Sequence, residues 1–126
     1  MPVQLNHTIV WCHDKRRSSA LLARILGGPP ATAFYNFMVL KLANNVSLDF
    51  ADIAGPIAPQ HYAFLIDESE FVATFSRIRD EGLSYWADPM KSRPNEINHG
   101  DGGHGVYFED LDGHLLEVIT RRYGGA

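Results

Sequence analysis

Apolar runs spaced for strands and helices recur twice along the chain, in the same order. Gln4–Cys12 (QLNHTIVWC) carries Val, Ile and Trp and predicts a strand. Asp14 is placed to cap a helix over about residues 15–26, where Leu21, Leu22, Ile25 and Leu26 form a helical stripe. Gly27-Gly28 and Pro29-Pro30 end it. Residues 31–42 predict a short irregular strand and then a clear one at Phe37–Leu42; Asn44-Asn45 makes a turn, and Val46–Ala51 returns as a strand. Gly55, Pro56 and Pro59 punctuate a connection, after which the pattern restarts. Gln60–Ile66 predicts a strand, and Glu68–Glu81 a helix with Phe71, Val72, Phe75 and Ile78 on one side, ended by Gly82. Leu83–Ala87 predicts a short strand, residues 88–104 a polar loop rich in Pro, Asn and Gly, and Gly102–Thr120 two strands joined by an Asp-Gly turn.

The two halves match element for element. Asn6-His7-Thr8-Ile9-Val10 and Gln60-His61-Tyr62-Ala63-Phe64 each open a strand–helix–strands unit, and each unit closes on a strand with one carboxylate, Leu48-Asp49-Phe50 and Leu116-Glu117-Val118. The expectation is an α+β domain of two tandem βαβββ modules, about 1–54 and 60–126, neither large enough to bury a core alone.

Charge and composition narrow the function classes. The 126 residues are 45% hydrophobic and 21% charged, an ordinary globular balance for one domain. A net charge of −4 and the absence of a long basic run argue against nucleic acid as a partner, and Lys15-Arg16-Arg17 reads as the solvated first turn of the helix. The single cysteine, Cys12, excludes an intrachain disulfide framework and reads as a buried structural thiol in a reducing compartment. With no signal-peptide pattern and no long apolar run, the expected location is cytoplasmic, with no membrane partner.

Three polar residues stand on apolar strand faces. His7 shares its face with Leu5 and Ile9, His61 with Ala63 and Leu65, and Glu117 with Leu115 and Ile119. A carboxylate among aliphatic neighbours is costly unless it is paired, hydrogen-bonded or bound to a metal. One histidine on such a face is ordinarily a hydrogen-bonded core residue. Two at equivalent positions of a repeat, with a matching acid, point instead to a two-His-one-carboxylate set that leaves open positions on a divalent metal.

These residues resemble the vicinal oxygen chelate superfamily, which includes glyoxalase I, extradiol dioxygenases, fosfomycin-resistance thiol transferases and bleomycin-resistance proteins. Leu5-Asn6-His7 followed by Asp14 is similar to the family's first strand and helix start, and His61-Tyr62-Ala63-Phe64 with the helix ending at Gly82 to the opening of its second module. The segment from Tyr107 to Glu117 (YFEDLDGHLLE) is similar to its terminal signature, with Leu111 where Pro is commoner. The resemblance implies a cupped mixed sheet with helices outside, a homodimer, and a divalent metal (Fe2+, Mn2+, Zn2+ or Ni2+) on His7, His61 and Glu117. Modules can pair across subunits in small members, so His7 of one chain can join His61 and Glu117 of another.

The activity implied is binding of a small substrate through two adjacent oxygens, as in glyoxalase-like or dioxygenase-like enzymes. Isomerase, lyase, transferase and dioxygenase chemistry all remain open. Glyoxalase I adds a carboxylate where Asp49 stands; Asp is one methylene shorter, so direct ligation and a supporting or turn-facing role are both open. Tyr107 matches the tyrosine ten residues before the terminal Glu in extradiol dioxygenases, a tyrosine that thiol transferases share. The dioxygenases' additional catalytic histidine has no counterpart, and Ile9 replaces the thiol transferases' threonine, so fosfomycin is not the expected substrate. The rival class is a metal-free drug-binding protein of the bleomycin-resistance type, whose members generally lack the ligand trio.

Tyr107 and His104 are the candidate catalytic residues. Tyr107 faces Glu117 only if the hairpin loop has an odd number of residues. His99 and His104 belong to or border the polar loop, a possible lid with Gly100, Gly102 and Gly103 as flexible points. His13 and His114 are expected to be exposed, and Arg121, Arg122 and Tyr123 to reach a substrate, solvent or a dimer contact.

Overall fold

The computed structural model describes residues 1–125 and divides into two units, Met1–Ile57 and Ala58–Ala126. In the first unit the strands are β1 (His7–Cys12), β2 (Thr32–Phe34), β3 (Phe37–Lys41) and β4 (Ser47–Asp52), with α1 (Lys15–Leu26) between β1 and β2. They form one mixed sheet in the order β1-β4-β3-β2. β1 runs parallel to β4, and the other pairs are antiparallel.

The helix forms where its ends are satisfied. The Asp14 side chain accepts the Arg17 N–H, and Gly27 closes the last turn at φ 72°, a conformation that glycine adopts without steric cost. The inward face of α1 (Leu21, Leu22, Ile25) packs on β3 and β4, where Met38, Leu40, Leu48 and Phe50 are buried with Val10 and Cys12. The Cys12 thiol donates to the Ala51 carbonyl at 3.4 Å, in line with its expected structural role. The opposite sheet face, bearing His7, Ile9 and Trp11, is exposed in the chain.

The second unit repeats this plan with β5 (His61–Leu65), a 3₁₀ turn (Glu68–Glu70), α2 (Phe71–Asp80), β6 (Tyr85–Trp86), β7 (Gly105–Glu109) and β8 (Leu115–Ile119). The sheet order β5-β8-β7-β6, with β5 parallel to β8, is that of the first unit. Phe64, Val106, Phe108, Leu116 and Val118 are buried on the sheet, and Phe71, Thr74 and Ile78 on α2. Removing a side chain the size of Ile78 from water contributes about 1.5–3 kcal/mol.

Val72 corrects the expected helix face. It is 76% exposed, whereas Thr74 is buried. Positions 71, 74, 75 and 78 make the i, i+3, i+4, i+7 stripe, and Val72 lies about 100° away from Phe71 around the helix axis. The helix itself starts at Phe71, after the 3₁₀ turn, rather than at Glu68. Among the described residues, no helix is long and apolar enough to cross a membrane.

Candidate functional site

In the second unit the ladder β5-β8-β7 carries the polar cluster. His61 is opposite Leu115 and Ala63 opposite Glu117, so the imidazole reaches diagonally to the carboxylate: His61 Nε2 lies 3.2 Å from Glu117 Oε1. Tyr107 is directly opposite Glu117 on β7. The connection from β7 to β8 is residues 110–114, five residues, and this odd count places Tyr107 and Glu117 on one face. Gly113 takes φ 88°, and Asp110 Oδ1 accepts the N–H groups of Asp112 and His114, each at 2.9 Å.

Glu117 is 1% exposed, and its buried carboxyl group is answered by hydrogen bonds. The Tyr123 hydroxyl donates to Oε1 at 3.1 Å and approaches Oε2 at 3.4 Å. The Tyr107 phenol is pushed well above its ordinary 10.0, first by burial and then by hydrogen bonds with Tyr123 and Glu117. It is a neutral donor across the physiological range.

The histidine tautomer is set by geometry. His61 Nδ1 lies 2.9 Å from the Leu115 carbonyl oxygen, which can only accept, so Nδ1 carries the proton. A ring whose one proton sits on Nδ1 turns the lone pair of Nε2 toward a carboxylate oxygen, and two acceptors face each other. A second proton on the ring or a cation beside both atoms resolves the conflict. Adjacent nitrogen and oxygen donors about 2.1 Å from one cation are roughly 3.0–3.4 Å apart, which fits the observed separation. Among the described residues no group of three His, Cys, Asp or Glu side chains capable of holding a metal is formed.

A cleft of about 200 Å³ opens over Glu117, walled by Tyr107, Tyr123, His104, Asn98 and Arg121. Its loop wall is built on Asn98, whose side chain donates to the Ala87 carbonyl at 2.8 Å and accepts Gly100 N–H at 3.0 Å. The Asn98 backbone brackets Gly105 through two hydrogen bonds, at 2.9 and 3.0 Å. His104 contacts Glu68 through Nδ1 and stacks near Phe71, with its ring 4.9 Å from that of His99. The Thr120 hydroxyl, the His104 bond and the Arg121 charge hold Glu68 below the ordinary carboxylate range.

The first unit has the same frame with other chemistry. His7 and Asp49 occupy the register positions of His61 and Glu117, and Val39 stands where Tyr107 does. His7 Nδ1 lies 2.7 Å from Asn6 Oδ1, an acceptor, so on this ring too Nδ1 carries a proton. Asp49 accepts from the Ser47 hydroxyl at 3.0 Å.

His114 corrects an expectation of exposure. It is 1% exposed, and its Nδ1 accepts the Gln60 N–H at 2.9 Å, fixing the start of β5 beside His61. Its neighbourhood in sequence is a polar turn, so no local pattern reports this burial. His13, by contrast, is exposed and contacts the Gly55 carbonyl oxygen at 2.8 Å. Tyr123 is the residue whose part the sequence understated: the only signal is an aromatic residue shortly after the last strand.

The solved structure of oxidase ChaP-H2 is 55% identical, with a TM-score of 0.96, over 99% of this chain and 98% of its own. The metallothiol transferase FosB of Shouchella clausii (strain KSM-K16) is 40% identical over 89 residues, 71% of this chain. The match spans 57% of that enzyme's length. The fosfomycin resistance protein FosX from Mesorhizobium loti, 18% identical, shares the fold at a TM-score of 0.67 over 97% of this chain and 94% of its own. No protein-family model matches the chain.

Proposed function

The chain belongs to the vicinal oxygen chelate superfamily, and from that premise we propose that it is a divalent-metal-dependent oxidase of a small oxygen-rich or aromatic molecule. The observation that carries this reading is the His61–Glu117 pair, in which a ring protonated at Nδ1 aims Nε2 at a buried carboxylate. A cation on both atoms satisfies two acceptors at once. In this reading His7 completes the set, from the same chain or from the partner in a homodimer, and Asp49 stands beside it as a candidate fourth ligand.

Oxidation is preferred over thiol transfer for two reasons. The full-length relative at 55% identity carries the name oxidase, while the transferase match covers little more than half of its enzyme. Ile9 also stands where the transferases carry threonine. Two imidazoles and one carboxylate with open positions suit Fe2+ among the candidate metals. When bound, the metal would polarise two adjacent substrate oxygens and exchange electrons with dioxygen.

The chain's own groups do the rest. Tyr107 donates a hydrogen bond to negative charge gathering on a substrate oxygen, because its phenol keeps its proton. His104, oriented by Glu68, borders the cleft as the candidate proton carrier. The apolar sheet face around His61, with Ala63 and Leu65, offers a surface for the substrate's carbon skeleton.

The test is metal content and oxygen uptake. Protein purified without chelators should hold about one divalent metal per site, and His61→Ala and Glu117→Gln should lose it. Oxygen consumption should appear with some member of a catechol, hydroquinone and 2-oxo acid panel and fall at least ~100-fold in both variants. Wild type that neither carries nor takes up metal sinks the reading in favour of a metal-free binding protein.

A further inference from the structure

We infer, building on the metal-dependent reading, that Tyr123 is a positioning residue for Glu117 and that the segment after β8 is a strap held by this contact. The segment is fixed at its start, because Thr120 N–H donates to the His104 carbonyl at 3.0 Å and Thr120 Oγ1 accepts the His104 N–H at 2.9 Å. It then turns back, with Gly124 at φ 70°. Tyr123 is 68% exposed as a residue, yet its hydroxyl reaches the buried Glu117, 3.1 Å from Oε1 and 3.4 Å from Oε2. The ring is thus an outer wall of the cleft while its tip is bonded to the cleft floor.

Oε1 is also the oxygen that His61 Nε2 faces at 3.2 Å. A glutamate side chain turns freely about its last torsion unless its oxygens are held. Here His61, Tyr107 and Tyr123 surround the carboxylate and fix the plane in which it meets His61. The first unit has no such arrangement at the register-equivalent Asp49, which bonds instead to Ser47 two residues away on its own strand. Tyr123 therefore does for Glu117 what an outer hydrogen-bond partner does for any metal-binding carboxylate: it sets the ligand's direction before a cation arrives.

The test uses Tyr123→Phe, with Arg122→Ala as an exposed neighbour control, and two readouts. The first is Zn2+ affinity, measured by competition with a chromophoric chelator. The second, in metal-free protein, is the backbone ¹⁵N heteronuclear NOE of residues 121–125. Tyr123→Phe should weaken Zn2+ binding about tenfold or more. It should also drop the NOE of the segment to that of a frayed terminus while leaving the unfolding midpoint within a few degrees. Arg122→Ala should move neither. An unchanged NOE in Tyr123→Phe overturns the strap, and a lost NOE with unchanged Zn2+ affinity overturns the positioning role. If wild type takes no Zn2+, the metal-dependent reading fails separately and the NOE still decides whether Tyr123 holds the segment to Glu117.

Discussion

Tyr107 and Glu117 stand directly opposite each other across the β7–β8 ladder, a neutral phenol facing a buried carboxylate. Cross-strand partners on one face have Cβ atoms about 5 Å apart, so the pairing brings their polar tips together without any loop having to move. His61, Tyr107 and Glu117 are therefore all placed by strands.

Tyr107→Phe removes one donor and leaves the ring. A stability loss of about 1 kcal/mol at neutral pH is expected, with turnover down roughly 10–100-fold. The pH dependence has a definite sign. Burial, then hydrogen bonding to Tyr123 and Glu117, raises this phenol above 10.0, so the folded state holds the proton more tightly than the unfolded chain. That stability is fully present below about pH 10 and is lost as pH rises beyond it. Urea midpoints from pH 8 to 11 should fall more steeply for wild type than for Tyr107→Phe; parallel curves would contradict the assignment.

Asp110 offers the same sign from a carboxylate. Burial raises it above the ordinary 3.8, against the pull of N–H groups from Asp112 and His114. A raised carboxyl favours its neutral form in the folded state, so its contribution is complete below pH 4 and declines as pH rises. Asp110→Asn keeps the accepting oxygen and should be at least as stable as wild type at pH 7, with the advantage gone at pH 3.5. Asp110→Ala leaves two part-buried N–H groups seeking partners and should lose about 1–3 kcal/mol. Denaturant titrations of the three proteins at both pH values compare these outcomes.

Gly105 is required by space. A Cβ there would lie 2.8 Å from Asn98 Oδ1 and 3.2 Å from Asn98 Nδ2. Asn98 holds Ala87 and Gly100 with the same atoms, so it cannot retreat without releasing the cleft wall. Gly105→Ala should cost about 1–3 kcal/mol and loosen residues 88–104, seen as faster amide exchange there. Unchanged exchange would show that Asn98 does not organise this loop.

Cation binding, if it uses the proposed imidazoles and carboxylate, competes with protons. Affinity for Zn2+ should be level near pH 7.5 and fall steadily below about pH 6, because only neutral imidazole is a ligand. Isothermal titration at pH 7.5, 6.0 and 4.5 measures this. Binding as tight at pH 4.5 as at neutrality would exclude these histidines.

Much of the architecture was readable from spacing. The α1 cap at Asp14 and its stop at Gly27 depend on residues within one turn, as does the alternation that puts His7, His61 and Glu117 on definite strand faces. The matched order of elements gave the tandem βαβββ plan, and the sheets follow it strand for strand. Val72 shows the limit of such reading, since a stripe of four apolar residues can include one that points away from the sheet.

What the sequence determined by itself is local: which segments extend, which coil, where they stop, and that two similar units carry a histidine and an acid in equivalent strands. Short-range sterics, capping and period-two or period-3.6 burial settle these within a few residues. Tertiary structure alone decided which groups share a cavity. It put Tyr107 opposite Glu117 across a five-residue connection, buried His114 with its ring bonded to the Gln60 N–H, and returned Tyr123 to the carboxylate from beyond the last strand. The first depends on the hairpin register that this connection sets, the second on packing between residues 54 apart in sequence, and the third on the turn of the chain after β8; the alternation of apolar and polar residues encodes none of them.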